Sequence, residues 1–224
     1  MLEQEESREL ITPDAVIPFA LNFQQITNAM KNWLKSEPLP APIKVARGNG
    51  VYLPVWVFEV GGSLTWNCEV EIGNRWLPRQ AAEPLIPRKI AICAARRVPR
   101  TFPALLKTYL FDKIIPFEER WLADYLAETY DIPVSDASLN ARKEVLDRES
   151  ARLRSQIKLP VREWRISSRA LSVTSYQLVL VPLWVTYYLC QEERFVMLVN
   201  GQTGEVTGER PARGLKRLLE GLLD

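Results

Sequence analysis

The sequence predicts an α+β fold, and three observations support that prediction. The stretch 177–211 reads as strand, turn, strand, turn and short strand, because its β-branched and aromatic residues lack a helical period. Two other stretches, 23–36 and 135–158, have the spacing and composition of helices. Two signatures, Ile-Pro-Phe and Pro-x-Trp-Val, each occur twice in the same order. This recurrence predicts an internal duplication of one α+β unit.

Composition excludes several classes of function. The chain has 224 residues, a net charge of +2 and no histidine. Because histidine is the commonest general base and metal ligand, its absence excludes Ser-His-Asp and Cys-His hydrolases and histidine-based metal centres. The three cysteines, Cys68, Cys93 and Cys190, contain no CxxC pair, which argues against a zinc site and favours a reducing cytoplasm. We therefore expect no cofactor and no catalytic activity.

The first predicted unit covers residues 15–112 and follows an acidic tail, 1–14. Asn22 is placed to cap the helix 23–36, with Gln25 in the capping-box position. Proline-rich sequence then ends the helix.

Two strands are expected next, 51–60 and 64–72, joined as a hairpin by a glycine turn at 61–63. The second strand alternates apolar and polar residues, which is typical of a strand with one buried and one wet face. Four prolines between 78 and 99 then limit the chain to short strands, of which 89–94 is the better formed.

The second predicted unit covers residues 113–212. Its Ile-Pro-Phe segment leads into a predicted amphipathic helix, 119–130, and then into the long helix 135–158. By residue count the Ile-Pro-Phe prolines lie 98 apart and the Pro-x-Trp-Val prolines 128 apart, so this long helix accounts for the difference. Leucines recur every seven residues along it, which predicts a surface helix or a coiled-coil seam. A short amphipathic helix is expected over 213–224.

The aromatic residues and the last turn have structural interpretations. Asn200, Gly201 and Gly204 lie in Asn-Gly-Gln-Thr-Gly, which predicts a β-turn, because a phosphate-binding loop requires a lysine and a following helix. The alternative for the strand tryptophans is an exposed platform for single-stranded nucleic acid. Core packing is favoured, and the predicted core positions are Trp56, Trp66, Trp184, Pro54 and Pro182.

Charge is distributed in blocks. Residues 88–100 and 142–169 form two basic clusters, the second with a net charge of +5, whereas 112–136 has a net charge of −5. Neighbouring blocks of opposite sign favour pairing within the chain or head-to-tail contact between copies over a uniform nucleic-acid face. The candidate interaction residues are Arg142, Arg148, Arg152, Arg154 and Lys158.

The motifs resemble a widespread group of uncharacterised bacterial proteins. The resemblance rests on Ile-Pro-Phe followed by a helix ending in Trp33-Leu34, on Gly-Val-Tyr-Leu-Pro-Val-Trp-Val-Phe-Glu (50–59), and on the motif 198–211. It implies a two-repeat α+β body with an unassigned function. Members of that group typically begin with a four-cysteine zinc ribbon. This sequence has no ribbon cysteines, so nucleic-acid binding through a ribbon is not implied.

Three functional hypotheses follow. The leading one is a non-enzymatic cytoplasmic scaffold or assembly subunit that binds a protein partner or itself through the charged helix and open sheet edges. The second is a nucleic-acid-binding accessory protein that uses the two basic clusters. The third is an enzyme that depends on carboxylates, for which Glu69 and Glu71 are weak candidates on a wet strand face. The longest apolar run, 178–190, is too short for a transmembrane segment.

Overall fold

The computed structural model describes residues 12–211 and has an α+β fold. The predicted helix 213–224 lies outside the described residues, as does almost all of the predicted tail 1–14. Between residues 12 and 211 the helices are α1 (Phe23–Lys35), α2 (Phe102–Leu106) and α3 (Val134–Gln156). The strands of this range are β1 (Ala15–Val16), β2 (Ile43–Val45), β3 (Asn49–Ile72), β4 (Arg75–Cys93), β5 (Ile115–Pro116), β6 (Leu126–Ala127), β7 (Val161–Ser167), β8 (Leu171–Cys190), β9 (Glu193–Asn200) and β10 (Val206–Gly208).

The chain divides into two compact units. The aromatic unit, as we name it, comprises 12–54, 95–130 and 179–211 of the described residues, and the hairpin unit comprises 55–94 and 131–178. Each compact unit therefore takes segments from both predicted repeats. The duplication itself stays a prediction.

The sheet of the aromatic unit is built around β8. Its β8–β9 hairpin closes with a two-residue turn at Gln191 and Glu192, both with positive φ, and β10 continues the meander on β9. This strand–turn–strand–turn–strand order was predicted from sequence. Strand β1 pairs in parallel with β8 and antiparallel with β5.

Helix α1 packs on this sheet as the sequence predicts. The side chain of Asn22 accepts from the Gln25 N–H at 3.0 Å, and the side chain of Gln25 accepts from the Asn22 N–H at 2.9 Å, so the capping box is complete. Ile26, Met30 and Leu34 repeat at four-residue intervals and are buried against β8 and β9. The capping and the apolar stripe are local signals, and both were predicted correctly.

The predicted helix 119–130 is wrong. Only Glu119–Leu122 forms a 3₁₀ turn, and the chain then extends into β6. The cause is tertiary packing, because the Tyr125 ring stacks on Phe19 with centroids 4.0 Å apart. A continuous helix would not place this ring on the β1 side of the core.

The hairpin unit contains one long hairpin, and its turn is not where the sequence predicts. Strand β3 runs through Gly61 and Gly62 as a bulge, and the chain reverses at Gly73 and Asn74, where φ is 54° and 60°. Gly62 has a φ of 123°, and a Cβ there would lie 2.0 Å from the Ala170 carbonyl oxygen. The glycines therefore allow a close main-chain approach rather than a turn.

Strand β4 corrects a second expectation, because it is one 19-residue strand rather than short strands near 89–94. Among the strands of residues 12–211 it pairs only with β3, so it is an edge strand. Pro78, Pro84 and Pro87 are tolerated because an edge strand can direct a missing N–H to solvent. On the other side of β3, strand β7 pairs with residues 65–70.

The long helix is confirmed as α3, but its buried face differs from the predicted seven-residue seam. Leu139 is 63% exposed and Leu146 is half-buried. Small residues at four-residue spacing let the helix lie close to the sheet. The buried positions are Ala137, Ala141, Val145, Glu149 and Leu153.

Candidate interaction surface

The five candidate interaction residues do not share one surface. Arg148 and Arg152 donate to Glu144 and Glu149 of the same helix at 2.8 and 2.6 Å. Arg142 reaches a main-chain carbonyl after β7 at 3.4 Å. These three basic groups are therefore engaged within the chain.

Arg154 and Lys158 are exposed near the end of α3. The Lys158 ammonium lies 3.4 Å from a main-chain carbonyl of the last helical turn. Neither residue forms an ion pair within residues 12–211.

Glu149 is a buried carboxylate, and its burial was not predicted from the sequence. Its side chain is 2% exposed, and it accepts from Arg152 on one oxygen while Arg88 of β4 lies 3.7 Å from the other. The two predicted basic clusters thus meet at an acidic residue. Because Arg88 and Arg152 share this carboxylate, these two cations are less available to a polyanion than unpaired arginines.

Strands β3, β4 and β7 form a sheet in the hairpin unit, and the face of this sheet that presents Thr65 and Asn67 is polar and open. Alternation along β3 and the register of its partners place polar side chains from all three strands on this face. Arg162 donates to Glu69 at 2.5 Å and stacks over the Trp76 ring, 4.4 Å from its centroid. A hollow of about 570 Å³ is lined by Thr65, Trp66, Asn67, Gln80, Ala81, Ala82, Arg165, Ile166 and Ser167.

The tip of the hairpin carries exposed apolar side chains, which we call the tip patch: Ile72, Leu77 and Leu159. Their exposed fractions are 46%, 44% and 38%. Leu77 is the register partner of the buried Val70 on β4, and Ile72 is the next residue on the same face of β3. Leu159 lies two residues before Val161, the register partner of Val70 on β7. Arg75, Arg79 and Lys158 are neighbouring exposed cations.

The Asn-Gly-Gln-Thr-Gly turn is structural, as predicted from its spacing. The fully buried Asn200 side chain donates to the Thr108 hydroxyl at 2.8 Å and accepts two main-chain N–H groups of its own turn. A Cβ at Gly201 would lie 2.7 Å from the Phe19 ring. Gly204 has a φ of 80°, which favours glycine.

Other polar groups of the motif 198–211 are also bonded within the chain. The Gln202 amide accepts from the Leu110 N–H at 2.8 Å and donates to its carbonyl at 3.2 Å. Arg210 lies over the Trp33 ring at 4.0 Å and donates to the Trp33 carbonyl. Neither residue was identified from the sequence, because both partners are far away along the chain.

The predicted core tryptophans have different surroundings. Trp56 is 1% exposed and its indole N–H donates to the Ile132 carbonyl at 2.9 Å. Trp184 is 8% exposed and packs among aromatic rings, and its buried N–H has no acceptor among residues 12–211. Trp66 is half-buried and stacks on Trp164. Pro54 and Pro182 are buried.

Two kinds of functional feature are absent from residues 12–211. Residues 12–211 contain no group of three or more His, Cys, Asp or Glu side chains arranged to hold a metal ion. Within the same range, no helix has the length and apolarity needed to cross a membrane.

The fold and these surfaces define an α+β protein whose hairpin unit carries an open polar sheet face and an exposed apolar tip. No family model and no solved structure matches the chain. It is 24% identical over 228 residues to the uncharacterised protein YdjG of Bacillus subtilis (strain 168), a match that covers 90% of this chain and 64% of the relative. The chain thus spans less than two thirds of that relative's length.

Proposed function

We propose that this chain is a non-enzymatic scaffold or assembly subunit that works through protein–protein contacts. The observation that carries the proposal is the tip patch, in which one isoleucine and two leucines are about two-fifths exposed beside Arg75, Arg79 and Lys158. Clustered exposed apolar residues with a polar rim are typical of protein-binding sites. Covering a half-exposed Leu or Ile contributes about 1 kcal/mol each.

The test compares the full chain with Ile72→Asp and Leu77→Asp variants. Leu139→Asp is the matched control, because Leu139 is also exposed but lies on the solvent side of α3. Tagged proteins are isolated from their own cells, and co-purifying proteins are quantified by mass spectrometry. We expect one partner or self-association with the wild type and the control, and its loss in the tip variants, without loss of folding by circular dichroism.

A wild-type chain that is monomeric by light scattering and recovers no protein would overturn the scaffold proposal. Recovery of the same proteins with both tip variants would show that contacts are made elsewhere.

The second candidate is nucleic-acid binding. Two observations favour it: Arg162 stacks on Trp76, and Arg165 is exposed. Arg152→Glu is a poor test because it places a second carboxylate beside the buried Glu149. Arg154→Glu with Arg165→Glu leaves that contact intact. Binding to a fluorescent oligonucleotide should then fall, and wild-type affinity should decrease steeply with salt. If the wild type shows no salt-dependent binding at low ionic strength, this candidate is eliminated. A carboxylate-dependent enzyme is the third candidate.

We also propose a cytoplasmic location and membership of the bacterial two-repeat group whose members typically carry a zinc ribbon. The three free cysteines support a reducing compartment. The duplication gains support from pairing: Val51 and Val179 lie 128 residues apart, the spacing of the Pro-x-Trp-Val prolines. Each starts a two-residue parallel pairing, with β6 and β1 respectively.

A further inference from the structure

We propose that this chain associates head to tail with a second copy of itself through two exposed triplets of opposite charge. The inference rests on the proposed scaffold function and names its partner. The basic triplet lies on β4 in the hairpin unit, and the acidic triplet surrounds β6 in the aromatic unit. The two triplets are Arg75, Leu77, Arg79 and Asp124, Leu126, Glu128.

The basic triplet presents an apolar centre between two cations. Alternation along β4 places Arg75, Leu77 and Arg79 on one face, and all three are exposed. Neither arginine has an ion-pair partner among residues 12–211. Their charges are therefore available to another molecule.

The acidic triplet has the complementary composition. Leu126 is 83% exposed, the largest value among the exposed large apolar side chains of the described range. The preceding Tyr125 ring is held inward by stacking on Phe19, which turns Leu126 to solvent. Asp124 and Glu128 are exposed two residues on each side, and neither forms an ion pair within residues 12–211.

A second copy fits both triplets better than an unrelated partner does, because each triplet supplies what the other lacks. When the two leucines meet, each arginine faces a carboxylate, an arrangement that favours cross-chain pairs and disfavours contact between like triplets. The contact is heterologous, since two different surfaces meet. Repeating it produces a ring or an open chain of copies.

The experiment measures the mass of the full chain by sedimentation velocity over a range of concentrations and salt. One variant carries Arg75→Glu with Arg79→Glu, and another carries Asp124→Arg with Glu128→Arg. The control, Lys31→Glu with Lys35→Glu, makes the same charge change as the first variant at exposed positions of α1. Circular dichroism establishes that every variant is folded.

We expect the wild type and the control to associate, more weakly at high salt. Each charge-reversed variant alone should lose association by roughly tenfold or more, because like charges then face each other. Mixing the two variants, or combining all four changes in one chain, should restore it. A general loss of folding cannot produce this restoration.

Monomeric wild type at every concentration would overturn self-association, as would variants that associate like the wild type. If the monomeric wild type still recovers a different protein that Leu77→Asp loses, the scaffold proposal stands and the second-copy inference fails. If the wild type neither associates with itself nor recovers another protein, both proposals are overturned.

Discussion

The aromatic unit and the hairpin unit differ in where they place their polar side chains. In the aromatic unit, Asn200, Gln202 and Arg210 bond to the unit's own main chain and side chains. In the hairpin unit, α3 packs on a sheet whose face bearing Asn67 stays open, and the hairpin ends in exposed leucine and isoleucine. The easily recognised motifs therefore stabilise the fold, whereas the candidate binding surface lies in sequence without a motif.

The largest expected effect tests the hairpin unit's dependence on one main-chain contact. Gly62→Ala forces a Cβ against the Ala170 carbonyl oxygen and should cost at least about 3 kcal/mol or prevent folding. Gly73→Ala is the control, because its φ is positive but the space around it is open, and it should cost about 1 kcal/mol. Urea unfolding measures both. Equal costs would show that the bulge relaxes freely.

The next prediction compares Trp56 and Trp184, the tryptophans of the two Pro-x-Trp-Val motifs. Trp56→Phe removes the indole donor of the Ile132 carbonyl, whereas Trp184→Phe removes a buried N–H that has no acceptor in the described part of the chain. Both changes delete similar volume, so Trp56→Phe should be about 1–2 kcal/mol more destabilising. Chemical denaturation measures the free energy of unfolding of both variants and so compares the two losses. A larger loss at Trp184 would contradict the difference in hydrogen bonding between the two indoles.

An effect of similar size is expected at the ion pair between α3 and β4. Glu149→Gln replaces the buried carboxylate that contacts Arg88 and Arg152 and should cost about 1–2 kcal/mol, since both arginines are half-exposed and recover water. Glu144→Gln breaks a more exposed pair on the same helix and should cost less than about 0.5 kcal/mol. Thermal unfolding separates the two. Equal shifts would mean that burial of Glu149 adds nothing.

The smallest effect concerns alkaline pH and the aromatic unit. Burial raises the pKa of Tyr109, whose hydroxyl donates to the Pro182 carbonyl at 2.8 Å. The unfolded chain therefore loses its tyrosine proton first, and stability falls as pH rises above about 10. Tyr109→Phe should cost about 1 kcal/mol at neutral pH and reduce this alkaline loss. Burial also raises the pKa of Tyr52 and Tyr188, so part of the loss should remain. An unchanged pH profile would contradict this assignment.

Local signals in the sequence predicted local structure well. The capping box at Asn22 and Gln25 and the two turns after β8 and β9 depend on residues within a few positions of each other. The bulge at Gly62 could not be predicted, because its cause is the carbonyl of Ala170 more than a hundred residues away. The helix expected over 119–130 failed for a similar reason, since Phe19 decides where Tyr125 packs.

The candidate surface was predicted only in part. Basic residues on the long helix were recognised, but their pairing with Glu144 and Glu149 depends on helix rotation and on the position of β4. Arg75, Leu77 and Arg79 already alternate in the sequence. They were not identified because the prolines of β4 disfavour a long strand, and edge position is a tertiary property.

The prolines of β4 also have a consequence for how copies of this chain meet. Each of Pro78, Pro84 and Pro87 removes one main-chain donor from a strand whose outer side pairs with no strand of residues 12–211. A continuous ladder of hydrogen bonds cannot grow along such a strand, so it is a poor template for cross-β fibrils. Contacts there must be made by side chains, and dilution or added salt should then dissolve any assembly that forms.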